Sequence, residues 1–109
     1  LSARVPELIE ERLAGWLDGW LDEQGLSRAE VGSWAIHPGG PRILTAVETA
    51  LGLTTEATAT SREVLATYGN MSSPTILFIL DRMRREGAAR PCVALAFGPG
   101  LAVEATLLA

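Results

Sequence analysis

Apolar residues recur at helical spacing from Ile9 through Leu13, Trp16, Leu17, Trp20 and Leu21, while Asp18, Asp22 and Glu23 take the other side. This predicts an amphipathic helix opened by Pro6, running to about Gln24 and stopped by Gly25, with both tryptophans as core packing. Ser27 and Glu30 have the spacing of a capping box for one short turn. Trp34-Ala35-Ile36 then reads as a buried strand. A second helix is expected from Pro41 to about Leu51, closed by Gly52. Thr60 with Glu63 predicts another capping box, opening a helix that reaches Tyr68 and stops at Gly69. Ser73-Pro74 reads as the N-cap and first residue of a further helix that ends near Glu86. Its Ile76 to Leu80 stretch is apolar on most sides, so central burial is expected. Arg82, Arg84 and Arg85 in its last turn complement the helix dipole and should face solvent. Cys92 to Phe97 is a continuous apolar run, as in a strand covered on both faces. After Gly98-Pro99-Gly100 the chain returns as a strand from Leu101 to Leu108, with Glu104 marking a partly wet face. Strands alternating with helices indicate an α/β domain.

Composition narrows the class. At 109 residues the chain is one domain. Its apolar share of 48% comes with a positive mean hydropathy, high for so small a domain, so part of the apolar surface is expected to meet another domain or chain. The net charge is −4 and all 9 basic residues are arginine. No basic stripe with interleaved aromatics exists, so no nucleic acid partner is expected. The longest uncharged run, Val64 to Leu80, is broken by Gly69-Asn70 and Ser73-Pro74, so no membrane span is expected. The charged amphipathic start is unlike a signal peptide, and a single cysteine suits a reducing compartment. A cytoplasmic location is the expectation. The chain starts with Leu and enters a helix at once, as a piece of a longer protein would.

Three segments carry candidate chemistry. The first is Trp34-Ala35-Ile36-His37-Pro38-Gly39-Gly40-Pro41, which holds the single histidine of the chain. Pro38 excludes the α region for His37 and keeps it extended at the strand tip. Gly39 and Gly40 leave room for a substrate against the backbone, and Pro41 suits the first turn of a helix. A titratable group is thus displayed at a strand-to-helix junction, where open α/β sheets bind ligands. A buried histidine satisfied by one hydrogen bond is the bland alternative. The second segment, Tyr68-Gly69-Asn70-Met71-Ser72-Ser73, places an asparagine in a tight turn. Asn70 either merely tolerates a left-handed conformation or joins the imidazole in an oxyanion hole. The third, Phe97-Gly98-Pro99-Gly100, is by itself only a hairpin turn. No metal site is indicated. Cys92, entering an apolar strand, reads as structural.

Together, in this order, the three segments resemble the C-terminal domain of the chalcone and stilbene synthase family, the type III polyketide synthases. The matching stretches are HPGGPxIL (His37 to Leu44), REVLxxYGNMSS…LFILDxMR (Arg62 to Arg84) and GFGPGLxVE (Phe97 to Glu104), the first glycine of the last being replaced by Ala96. Initiating ketoacyl-acyl-carrier-protein synthases share the histidine and the Gly-Asn turn, but typically have Gln-Ala-Asn where this chain has Pro-Gly-Gly. The resemblance implies one half of a thiolase-like fold over residues 1–109: layered helices around a mixed sheet ending in an antiparallel strand pair. It also implies a Cys-His-Asn triad, with His37 and Asn70 as two members and the nucleophilic cysteine in an N-terminal half that these residues lack.

The implied reaction condenses an acyl-CoA starter with malonyl-CoA, a decarboxylative acyl transfer in secondary metabolism that needs no cofactor beyond the coenzyme A thioester substrates. Gly39 and Gly40 would pass the pantetheine arm. Ser72, Phe97, Gly98, Pro99 and Gly100 would line starter and cyclisation pockets. Arg42 would contact the thioester's phosphates or simply be solvated. By themselves the 109 residues are expected to be inactive and to pair as a homodimer through apolar surface. An initiating ketoacyl synthase and a non-catalytic dimerisation domain stand as alternatives.

Overall fold

A computed structural model describes residues 4–37, 39–69, 73–98 and 102–108. The first helix, α1 (Val5–Glu23), buries Val5, Ile9, Leu13, Leu17 and Leu21, one residue in every four. Four residues slightly exceed one 3.6-residue turn, so this stripe winds gently around the helix. It packs on α2 (Pro41–Leu51), whose Ile43, Leu44, Ala46 and Val47 belong to the same core. Trp16 falls on the flank of that stripe and is 43% exposed. The expectation that both tryptophans are core is therefore corrected: only Trp20 packs against it, half-buried.

Three strands form one mixed sheet in the order β1 (Ser33–Ile36), β2 (Cys92–Gly98), β3 (Ala102–Leu108). β1 and β2 are parallel, with Ser33 opposite Cys92 and Ile36 opposite Leu95. β2 and β3 are antiparallel, from Cys92 opposite Leu108 to Gly98 opposite Ala102. Alternation along the strands sorts side chains into two apolar layers. Trp34, Ile36, Val93 and Leu95 join α1 and α2 on one face. Ala35, Cys92 and Ala94 meet Val64 of α3 (Ala59–Tyr68) and Ile79 and Met83 of α4 (Ser73–Arg85) on the other. On β3 the odd positions 103, 105 and 107 are half-buried against the α1–α2 layer. Ala102, Glu104, Thr106 and Leu108 are exposed, which is the wet face that Glu104 implied.

Element ends follow local chemistry. The Ser27–Glu30 pair forms as expected, the Glu30 carboxylate accepting from the Ser27 N–H at 2.9 Å and from its hydroxyl at 3.1 Å. Gly52, with φ 66°, closes α2 in the left-handed conformation and donates its N–H to Glu48 O. The Thr60–Glu63 capping box does not form. A 3-10 turn over Thr55–Thr58, capped where the Thr54 hydroxyl accepts from the Ala57 N–H at 3.3 Å, runs straight into α3. Thr60 is consequently interior to the helix.

The central burial expected of α4 is also corrected. Thr75, Ile79 and Met83 are buried, whereas Leu77 is 66% and Phe78 47% exposed. Sheet and α3 supply cover on one side, and no described element covers the other. Phe78 stacks instead on exposed Tyr68 of α3, ring centroids 5.6 Å apart. Arg82 links α4 to Glu63 of α3 at 2.6 Å, while Arg84 and Arg85 pair with Asp81 at 3.0 and 3.1 Å. Among the described residues no helix is long and apolar enough to cross a membrane.

The parallel pair is anchored at its start by a close backbone approach. Gly32 N–H donates to Pro91 O at 2.8 Å, and the Ser33 hydroxyl donates to Ala89 O at 2.6 Å. A Cβ on Gly32 would lie 2.6 Å from Arg90 O and 2.8 Å from the Ala89 carbonyl carbon. Those neighbours are backbone and cannot swing away. Gly32→Ala is expected to cost about 1–3 kcal/mol, read as a lower midpoint in urea denaturation.

Candidate active site

His37 follows the last residue of β1, and its placement begins with the backbone. Its N–H donates to Leu95 O at 2.8 Å, which continues the parallel ladder one residue past Ile36. The residue is half-buried. Gly39 N–H folds back to His37 O at 3.0 Å, and Gly40, with φ 149°, precedes α2. Few L-residues adopt that φ, so Gly40 is where the chain turns from strand to helix. No described atom lies within 4 Å of where its Cβ would be, leaving open space beside the loop.

Phe97 and Gly98 lie at the same end of the sheet, because β2 runs parallel to β1 and extends past Leu95. Phe97 is half-buried opposite Val103. α4 points its first turn toward this end as well. Its Leu80, Met83 and Arg84 line a cavity of about 330 Å³ with Ser33 and Cys92, the first residues of β1 and β2, so its C-terminal half occupies the opposite end. Asn70, Ser72, Pro99 and Gly100 lie outside the described residues. Arg42 is exposed on the first turn of α2, in a groove shared with Pro6, Glu7 and Glu10 of α1. Cys92 is buried at the start of β2 opposite Ser33. That is four residues, about 13 Å of strand, from His37. Among the described residues no group of three or more His, Cys, Asp or Glu side chains could hold a metal ion.

A polar cluster behind the His37 loop escaped sequence reasoning. Glu48 of α2 accepts from Arg62 of α3 at both oxygens, 3.2 Å from Nε and 2.8 Å from Nη2, and from the buried Thr58 hydroxyl. Arg62 Nη2 also donates to Thr45 Oγ1 at 3.4 Å. The Glu48 side chain is only 13% exposed. Burial alone would raise its carboxyl, but the Arg62 and Thr58 hydrogen bonds and the Arg62 charge outweigh it and hold the group below its usual range. Beside Arg62, the Ser61 hydroxyl accepts the Ile36 N–H at 3.2 Å. Arg62 was legible only as one letter of a motif, since its partner stands 14 residues away on another helix.

A lowered folded-state value means that Glu48 stabilises the fold fully above the unfolded carboxylate range. The contribution fades as pH falls from about 5 through the folded value. Glu48→Gln is expected to lose about 1–2 kcal/mol near neutrality. The gap to the parent should close in acid, as thermal unfolding across pH 3–7 would show.

Comparison with known proteins shows the family. The family described as chalcone and stilbene synthases, C-terminal domain, matches residues 1–109. Type III polyketide synthase 21 of Oryza sativa subsp. japonica is 39% identical over 113 aligned positions, covering 99% of this chain and 29% of that protein. The crystal structure of PKS-I from the brown alga Ectocarpus siliculosus superposes with a TM-score of 0.92 at 36% identity, over 98% of this chain and 31% of that one. The chain thus spans less than a third of the length of these relatives. With the whole sequence matched and the fold shared, this chain belongs to the chalcone and stilbene synthase family, as its C-terminal domain.

Proposed function

We propose that this domain supplies the histidine and asparagine of a Cys-His-Asn triad in a type III polyketide synthase, the cysteine coming from an N-terminal half. The observation that carries the reading is the placement of His37. It sits half-buried at the C-terminal tip of a parallel strand, its backbone tied to Leu95 and followed by a glycine turn with open space beside it. Substrates are coenzyme A thioesters, and the chemistry needs no cofactor or metal.

In this mechanism the cysteine thiolate first takes the starter acyl group from its thioester, releasing coenzyme A. Malonyl thioester then loses carbon dioxide, and the electrons of the broken C–C bond pass into an enolate. The His37 and Asn70 N–H groups donate hydrogen bonds to the enolate oxygen, where charge develops. The carbanion attacks the acyl carbonyl, the new C–C bond forms, and the thiolate leaves. Gly39 and Gly40 admit the pantetheine arm. Ser72 and the Phe97–Gly100 hairpin would wall the pocket in which the chain grows and closes. Arg42, shared with the acidic face of α1, is better read as a solvated residue than as a phosphate ligand.

In the full-length enzyme, His37→Ala and Asn70→Ala are each expected to lower malonyl-CoA decarboxylation by about 10²–10³, measured as carbon dioxide release. Cys92→Ser should leave acyl-enzyme formation and turnover within twofold. Loss of the acyl-enzyme in Cys92→Ser would move the nucleophile to this domain and sink the triad. Activity only with carrier-protein thioesters would favour an initiating ketoacyl synthase instead.

The uncovered face of α4 bears on partners. Leu77, Phe78 and Tyr68 form an exposed apolar patch, a surface that a second domain or copy would cover. The 109-residue chain by itself is expected to self-associate as a homodimer through this patch. Sedimentation equilibrium at micromolar concentration reads this directly: Phe78→Ser should shift the parent's dimer to monomer, and a monomeric parent would refute it.

A further inference from the structure

The geometry points to Ser61 and Arg62 as a clamp that positions His37, and we propose them as positioning residues of the active site. The inference rests on the assignment of His37 to the reaction. Its physical basis is the end of β1. In a parallel pair, successive residues of the outer strand turn their amides alternately inward and outward. The His37 N–H turns inward to Leu95 O, so that of Ile36 turns outward, where no strand of the described residues lies beside β1. The acceptor there is the Ser61 hydroxyl at 3.2 Å, on a residue only 1% exposed. A buried amide left without an acceptor is disfavoured, so this bond holds the strand tip in register.

The next residue holds the other side of the loop. Arg62 grips Glu48 at both carboxylate oxygens and reaches Thr45, both on α2, the helix that follows Gly40. Two successive residues of α3 therefore grasp the residue before His37 and the helix after its glycine turn. Val64, one helical turn below Ser61, packs in the same buried cluster as Ala35 of β1. α3 ends at Tyr68, just before Gly69 and Asn70 in the sequence. One rigid helix thus links the histidine's strand to the segment that carries the asparagine. An imidazole misplaced by a fraction of an ångström donates poorly to a developing enolate, so the clamp should act on turnover more than on substrate binding.

The test compares Ser61→Ala, Ser61→Thr and Arg62→Gln with the parent in the full-length enzyme. Ser61→Ala is expected to lower kcat for malonyl-CoA decarboxylation at least tenfold with KM within twofold, and Ser61→Thr to recover most of the loss. Arg62→Gln should lower kcat in the same way. Hydrogen exchange at the Ile36 amide should quicken at least tenfold in Ser61→Ala while the Leu95 amide stays protected. Unchanged kcat in both Ser61→Ala and Arg62→Gln would overturn the clamp. So would losses in which KM rises in step and protection falls throughout the sheet.

Failure of the functional reading has a separate signature: no decarboxylation by the parent, or none lost in His37→Ala. The clamp is then decided by the imidazole proton resonances of His37, the single histidine of the 109-residue chain. They should shift in Ser61→Ala and Arg62→Gln, and unmoved resonances would refute it.

Discussion

The parallel pairing of β1 with β2 is the constraint on which the rest of the domain depends. Parallel neighbours cannot be joined by a tight turn, so the chain between Ile36 and Cys92 must cross over the sheet. The crossing is made by α2, α3 and α4, with α2 against one face and α3 and α4 against the other. A sheet so covered has its strand ends as the natural places to meet a ligand. His37 stands at one of those ends, and the β2–β3 hairpin approaches the same edge.

Much of this was legible along the chain because the signals are local. Proline at the start of α1 and α2 and glycine after four helices mark boundaries within a few residues. The apolar run of β2 matches a strand covered on both faces, and the proline after His37 favours an extended backbone there. The family's motifs extend this reading across nearly the whole domain. What escaped was decided by contacts between distant residues. Trp16 and Leu17 are adjacent and both apolar, yet only the packing of α2 decides which is core. Thr60 and Glu63 have suitable capping spacing, but the Thr54-capped turn before them had already started the helix.

The same limit applies to the site. A lone histidine beside proline and glycines announces itself, whereas the serine that holds its strand looks like any polar residue on a helix. Ser27 was marked by Glu30 three residues on, but nothing local distinguishes Ser61 from Ser33. Its meaning comes from an amide 25 positions earlier. The partly apolar character of α4 was visible, but which side remains bare depends on how much surface three strands and one helix can cover. Mean hydropathy had already suggested surface in excess of the domain's own needs.

The Ser61 hydroxyl that accepts from the Ile36 N–H has a consequence for assembly. An outer strand with bare amides invites another strand, whether from a neighbouring copy or a misfolded chain. At the tip of β1 that invitation is withdrawn, because a helix side chain occupies the outward donor. On the other outer strand, β3, Glu104 and Thr106 alternate with apolar Val103, Ala105 and Leu107. Charge at the middle of a strand discourages an incoming apolar strand. Strand addition is thus opposed at two places by two different means, a hydroxyl on an edge amide and a charge in mid-strand.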